Sequence, residues 1–484
     1  METLDFDIII IGAGISGINT AYRIQTECPQ HTYTILEQKE ELGGTWSLFK
    51  YPGIRSDSDL YTFGFEWNRW DKPEAIAEAG LILKYLKSSA EKYGIDRRIQ
   101  YGKTVVAADW ETRDKVWSLR VQDKDADGES VMRCKFVVFA TGYYDYNTPL
   151  NAQIPGLGNF KGRLVHPQFW PNDLELQDKK VVIIGSGATA ITLLPSISKQ
   201  ASETVLLQRS PSYVLSQPQR GKLGGFLRAV LPASWASLLM RWKFILMPWI
   251  LLQYCRIFPR RSRDMLRSLS ARLLPPRISI DPHFSPRYNP FDQRLCLCPD
   301  GDFYAAFHAP GTSIVTGEIQ EVEGSAIKLK NVEESLQADV IISATGLRLN
   351  VAGGVKISVD QVALDIPSKR VWKGTLIEDL PNASLVIGYT TASWTLGADC
   401  AAKVTTRVLN RMHRKGFASV TARVPKGLKM EEVPIINLSS TYVVKAIDRL
   451  PRAGSTGPWQ PRVSYFKDYW RSQYGSIQTG LEYD

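Results

Sequence analysis

The sequence predicts an α/β fold of two parallel-sheet units built on one plan, the second interrupted by a helical insertion. Three observations predict it. Asp7-Ile-Ile-Ile-Ile-Gly12-Ala-Gly14-Ile-Ser-Gly17 and Lys180-Val-Val-Ile-Ile-Gly185-Ser-Gly187-Ala-Thr-Ala190 repeat the same local pattern 173 residues apart. Two later apolar runs, Phe136-Val-Val-Phe-Ala140-Thr141-Gly142 and Val340-Ile-Ile-Ser-Ala344-Thr345-Gly346, both end in Ala-Thr-Gly. From 212 to 290 the chain is rich in Arg, Leu and Trp and punctuated by prolines, which reads as helices rather than strands.

The first element, Ile8 to Ile11, is aliphatic at every position, as a parallel strand covered on both faces must be. Gly12, Gly14 and Gly17 then form G-x-G-x-x-G, after a strand and opening a helical pattern. Glu37 ends the next apolar run, Tyr33-Thr-Ile-Leu-Glu37, twenty residues beyond Gly17, where an acid accepts hydrogen bonds from ribose hydroxyls. This is a Rossmann-like dinucleotide-binding domain, its glycines letting pyrophosphate approach the positive end of a helix. In the second unit Ala190 replaces the third glycine. Its second strand runs Glu203-Thr-Val-Leu-Leu-Gln208-Arg209-Ser210, with Arg209 where a site for NAD carries an acid. An arginine pairs with a 2′-phosphate that an acid would repel, so NADPH is expected there. A third apolar run, Ser384-Leu-Val-Ile-Gly388, precedes Trp394.

At 484 residues, two or three domains are expected, and 44% hydrophobic with 22% charged residues fits a globular chain. The net charge of +10 suits gathering of anionic ligands, whereas no basic tract is interleaved with a nucleic-acid module, so nucleic acid is not an expected partner. Six scattered cysteines form no C-x-x-C, which excludes a redox dithiol, and no metal site is expected. Cys296 and Cys298 read as two side chains on one face of a strand. The acidic start, without a basic leader, and the scattered thiols predict a cytoplasmic location. Ala233 to Cys255 is apolar but holds Arg241, Lys243 and Pro248, so a core-packing helix is expected, with weak membrane-surface contact as the lesser reading, aided by Arg256-Ile-Phe-Pro-Arg260-Arg261-Ser-Arg263.

Between the two glycine turns lies Phe160-Lys-Gly162-Arg-Leu-Val-His166-Pro-Gln-Phe-Trp170-Pro171. Phe160, Gly162, His166, Trp170 and Pro171 fill F-x-G-x-x-x-H-x-x-x-W-[PD], the fingerprint of type I Baeyer–Villiger monooxygenases. The chain resembles those flavin enzymes nearly end to end, most of all the branch that includes mycobacterial thioamide-prodrug activation.

The resemblance implies FAD in the first unit and NADPH in the second. It implies residues 1–145 and 346–484 as the FAD-binding domain, 146–178 as a linker carrying the fingerprint, and 179–345 as the NADPH-binding domain with its insert at 212–290. Gly44, Thr45, Trp46 and Asp57 would lie along the flavin, Trp46 reading equally as core packing and Asp57 also as a cap for the helix that follows. Further cofactor contacts are expected from Tyr61, Val106 and Gly142, and from Ala188, Thr189, Ser210, Thr345 and Gly346. Trp394 reads either as core or as a flavin or substrate contact.

Arg294, in Asn289-Pro290-Phe291-Asp292-Gln293-Arg294, matches the arginine that such enzymes use to hold a C4a-peroxyflavin, with Asp57 as its partner. His166 would be a hinge or hydrogen-bonding element, or alternatively a general base, and Trp170 an anchor by burial. The implied reaction consumes NADPH and O₂ and turns a ketone into an ester or lactone. Oxygenation of sulfur or nitrogen (sulfides, thioamides, amines) is the alternative, and a non-oxygenating NADPH oxidase a third. The bulky apolar insert suggests a sizeable hydrophobic organic substrate.

Overall fold

The computed structural model describes residues 3–125, 128–390, 392–462 and 464–484. Two sheets organise them. The first comprises β1 (Phe6–Ile11), β2 (Tyr33–Leu36), β3 (Ile99–Gln100), β4 (Lys103–Glu111), β5 (Val116–Asp123) and β6 (Glu129–Phe139). The second comprises β7 (Arg163–Val165), β8 (Lys180–Ile184), β9 (Glu203–Gln208), β10 (Thr312–Thr316) and β11 (Val340–Ser343). The chain then returns to the first sheet through β12 (Lys356–Val359), β13 (Val362–Ala363) and β14 (Ala383–Leu385).

Strand order in the first sheet is β13-β12-β4-β5-β6-β1-β2-β3, with β14 parallel to β6; in the second it is β10-β9-β8-β11-β7. Every pairing in the second sheet is parallel. The aliphatic runs explain why these strands are central. Ile8 and Ile10 face one hydrophobic cluster while Ile9 and Ile11 face another. Val181 and Ile183, against Val182 and Ile184, divide in the same way. A strand apolar on both faces is stable only where both faces are covered.

Helices α1 (Ile15–Glu27), α2 (Thr45–Leu48), α3 (Leu60–Phe63) and α4 (Ala79–Lys92) accompany the first sheet, and α5 (Ala188–Ile197) the second. The insert forms α6 (Lys222–Val230), α7 (Ala233–Ile257) and α8 (Pro259–Leu273). After α9 (Asp302–Ala306) come α10 (Trp394–Lys415), α11 (Thr441–Val444) and α12 (Tyr465–Tyr474).

Two sequence expectations need correction, and two strands went unread. The fingerprint segment is not simply a linker, because Arg163–Val165 is an edge strand of the second sheet. Helix α7 is only half a core helix: Ala236, Met240, Arg241 and Ile245 are buried, yet Trp235, Trp242 and Trp249 are exposed. The sequence also gave no sign of β12 and β13, which extend the first sheet beyond β4.

Candidate active site

Each glycine turn is shaped by clearance. At Gly12, whose φ is +102°, a Cβ would lie 2.9 Å from the Ala140 carbonyl oxygen, and at Gly17 it would lie 1.9 Å from the Gly12 carbonyl oxygen. At Gly185 it would lie 2.3 Å from the Ala344 carbonyl oxygen. Only glycine allows each turn to press against the Ala-Thr-Gly strand end or against its own helix. Helices α1 and α5 both start after a glycine with no side-chain cap, so their first-turn N–H groups stay open to an anion.

Glu37 is buried and its carboxylate accepts from the Ala13 N–H at 2.7 Å and the Lys39 N–H at 3.0 Å. Burial raises its pKa, opposed by those backbone donors. A carboxylate has about four acceptor positions, so room remains for ribose hydroxyls.

A cavity of about 320 Å³ opens along the carboxyl ends of the first sheet, within the range of small-molecule sites, roughly 300–1,000 Å³. Gly12, Gly14, Glu37, Gly44, Thr45, Trp46, Asp57, Gly142 and Trp394 line it, and so do Ala188, Thr189 and Arg294. The site therefore draws on both units. The contact between them is tight: a Cβ on Gly53 would lie 2.5 Å from Ser196 Oγ, and Arg55 forms an ion pair with Asp302 on α9.

Arg294 and Asp57 stand 237 positions apart in the chain, yet one guanidinium nitrogen donates to both Asp57 oxygens, at 2.7 and 2.8 Å. Burial works against charge on Arg294, but Asp57 and then Tyr143, Tyr144 and Tyr442 more than offset it and hold it protonated. The cavity thus carries a fixed cation at every ordinary pH. Trp394 stacks on Tyr143 at 4.9 Å and donates from Nε1 to Ser16 Oγ at 2.8 Å. Trp46 packs edge-on against Phe63 at 5.5 Å while also lining the cavity.

Some expected positions lie elsewhere. Val106 does not line the cavity; Val105 and Thr104 do. Tyr61 faces the insert, stacked on Phe244 at 5.3 Å, with its hydroxyl donating to the Lys72 carbonyl and accepting from Arg228. Gly17 supports the turn from behind. Gly185, Gly187, Arg209, Ser210, Thr345 and Gly346 follow strand ends of the second sheet, beyond the cavity lining. Arg209 is exposed and donates to Thr441 Oγ1 at 3.1 Å.

In the fingerprint, a Cβ on Gly162 would lie 2.3 Å from the Asp339 carbonyl oxygen and 2.5 Å from the Phe160 ring. His166 Nδ1 accepts from the Gln168 N–H at 3.2 Å, and burial lowers the pKa of the ring. Trp170 packs against the core of the second unit, and Pro171 follows it, half-buried. Buried Gln168 donates to the Asp145 carbonyl at 2.8 Å, which ties the fingerprint to the cavity wall.

Sequence reasoning missed that wall. Tyr143, Tyr144 and Tyr146 line the cavity, Tyr143 and Tyr144 sharing a hydroxyl hydrogen bond of 2.8 Å and Tyr146 reaching Thr45 Oγ1 at 3.1 Å. Their signal was three tyrosines within four residues of Gly142. Burial pushes the Tyr144 hydroxyl far above its ordinary pKa, so it stays a neutral donor. Cys296 and Cys298 are buried thiols, pushed up to about 12 by burial, and so are unreactive.

Residues 68–240 match a family described as flavin-binding monooxygenase-like, and residues 10–70 match an NAD(P)-binding Rossmann-like domain. The chain is 41% identical over 476 residues to the FAD-containing monooxygenase EthA of Mycobacterium tuberculosis, covering 98% of this chain and 96% of that one. Among solved structures, OTEMO in complex with FAD and NADP aligns over the whole of both chains with a TM-score of 0.74 at 18% identity. Cyclohexanone-bound cyclohexanone monooxygenase aligns over 87% of this chain and 89% of its own, with a TM-score of 0.70 at 19% identity. The two structural likenesses speak to the fold.

Proposed function

The chain belongs to the FAD-containing monooxygenases, and from that membership we propose that it is an NADPH- and O₂-dependent Baeyer–Villiger monooxygenase. It would convert a ketone into an ester or lactone, one oxygen atom entering between the carbonyl carbon and the migrating carbon and the other leaving as water. The observation that carries this reading is the Arg294–Asp57 pair inside a cavity walled by both glycine-turn units.

The residues present fit a flavin dinucleotide. Gly12, Gly14 and Gly44 clear backbone space, the uncapped start of α1 would take the pyrophosphate, and Glu37 would accept from the ribose. When bound, FAD supplies the redox chemistry, taking a hydride from NADPH and passing electrons to O₂. The protein's own residues do the rest. Arg294 places an invariant positive charge where negative charge develops on oxygen, and a planar fork does so with better orientation than an ammonium would. Asp57 fixes the direction of that fork. Tyr143, Tyr144 and Trp394 keep the wall aromatic, which excludes water and strengthens the electrostatics inside.

In the second unit the uncapped start of α5 and Arg209 would hold NADPH, Arg209 on the 2′-phosphate. Residues 1–145 and 346–484 would form the FAD-binding domain and 179–345 the NADPH-binding domain. The segment between them would couple the two, through Gln168 on one side and the β7–β11 pairing on the other.

The test is turnover of the purified, FAD-loaded chain with NADPH against a panel of ketones and sulfides, with mass detection. Ester or lactone from a ketone, heavier by one oxygen, is the expected result. Sulfoxide from sulfides with no ester from any ketone would replace this reading with sulfur oxygenation. NADPH consumption with neither product would replace it with an oxidase.

A further inference from the structure

The positive charge of this chain is not spread over its surface. Residues 212–290 hold 13 of the 59 Lys and Arg but only 2 of the 49 Asp and Glu, a net of +11, so the remainder of the chain nets −1. The same segment carries a large exposed apolar surface. On α7, Trp235, Leu239, Trp242, Leu246, Trp249 and Ile250 are all exposed, and their spacing of three or four residues sets them in one stripe along the helix. Trp235 is 60% and Trp242 47% exposed. On α6, just before it, Phe226 and Val230 add a second exposed apolar strip.

The opposite face of α7 is fixed to the first unit. Buried Arg241 donates to the carbonyls of Tyr61 and Gly64, each at 2.8 Å, and Ser237 donates to the Trp70 carbonyl at 3.1 Å. Helix α7 is the one described helix long and apolar enough to cross a membrane, but a helix bound along its length through a buried arginine lies on a surface rather than through it. At its carboxyl end the apolar stripe runs into exposed Arg256, Arg260 and Arg261, none of which has an acidic partner among the described residues.

We propose that α6 to α8 form a docking surface for an anionic lipid bilayer, with the tryptophan stripe entering the interface and the arginines on the headgroups. Indole suits that boundary because its ring is apolar and its N–H polar. A second copy of the chain is the poorer occupant, since it would bring two strongly positive surfaces face to face. The inference stands on surface chemistry and is independent of the reaction assigned above.

The experiment is flotation of the full-length, FAD-loaded protein with vesicles of phosphatidylcholine alone or mixed with phosphatidylglycerol. The protein should float with the mixed vesicles, with tryptophan emission moving to shorter wavelength, and less with phosphatidylcholine alone or in high salt. Trp235→Glu with Trp242→Glu should reduce partitioning at least about ten-fold while flavin content and NADPH consumption stay unchanged. Arg256→Gln, Arg260→Gln and Arg261→Gln together should weaken binding to the mixed vesicles only, by roughly five-fold per charge. No flotation with anionic vesicles, or flotation indifferent to both sets of substitutions, would overturn the proposal. So would a vesicle-free dimer, seen by sedimentation velocity, that the tryptophan substitutions dissolve.

Discussion

The proposed function gives two arginines different tasks, and their surroundings differ accordingly. Arg294 is half-buried, paired with Asp57 and close to Tyr143, Tyr144 and Tyr442, so it is a fixed part of the cavity wall. Arg209 is exposed, with one hydrogen bond to Thr441, so its charge remains available to a phosphate. Arg209→Glu should therefore raise KM for NADPH by ~10–100-fold, the worth of a charge-assisted contact, with kcat little altered. Steady-state kinetics with NADPH and NADH check this, because NADH lacks the 2′-phosphate and should be nearly indifferent. Equal losses with both coenzymes would assign Arg209 a structural task instead.

At the scale of elements, the first turn and the helix after Asp57 carry distinct, measurable constraints. A methyl at Gly17 meets a carbonyl oxygen at 1.9 Å, far inside van der Waals contact, so Gly17→Ala must push α1 away from β1. A loss on the order of 3 kcal/mol and a chain that purifies without its yellow cofactor are expected. Thermal unfolding and flavin content measure both.

Asp59 caps α3, accepting from the Thr62 N–H at 2.8 Å and from Thr62 Oγ1 at 2.7 Å. Burial raises its carboxyl to about 6, despite those donors. The unfolded value is about 4, so in the window between them the folded state binds more protons than the unfolded chain. Asp59 thus favours folding below that window, and the benefit is lost as pH rises through about 6. Asp59→Asn keeps the cap and removes the ionisation. It should raise stability at neutral pH by at most about 3 kcal/mol and flatten the wild-type decline across that window. Denaturant unfolding at several pH values decides it, a parallel decline in both proteins counting against.

Across the whole molecule, legibility followed the range of the interaction. The two sheets could be read because a strand buried on both faces must be aliphatic at consecutive positions, a local property of Ile8–Ile11 and Val181–Ile184. The glycines were legible because backbone clearance restricts them, and Glu37 because it ends the second strand twenty residues after Gly17. Val106 was misplaced by one residue because β4 carries an irregularity between Val105 and Ala107, which turns Val105 inward, and no sequence pattern marks it. Tyr61 was placed on the cofactor because its true neighbours, Phe244 and Arg228, lie in the insert more than 160 positions later. Helix α7, largely apolar on every face, reads as a core helix, and only its docked orientation separates a buried face from an exposed one. The pairing of Arg294 with Asp57 came from family resemblance, since nothing local in either segment specifies the other.

That pairing also ties the two units into one site. The most direct measurement is product formation from a ketone by FAD-loaded Arg294→Ala beside the wild type, with NADPH consumption followed in the same samples. Ester formation should fall by roughly 10³-fold while flavin remains bound and NADPH is still oxidised, because only the charge that favours oxygen transfer is removed. Ester formed at the wild-type rate by the variant would contradict the account.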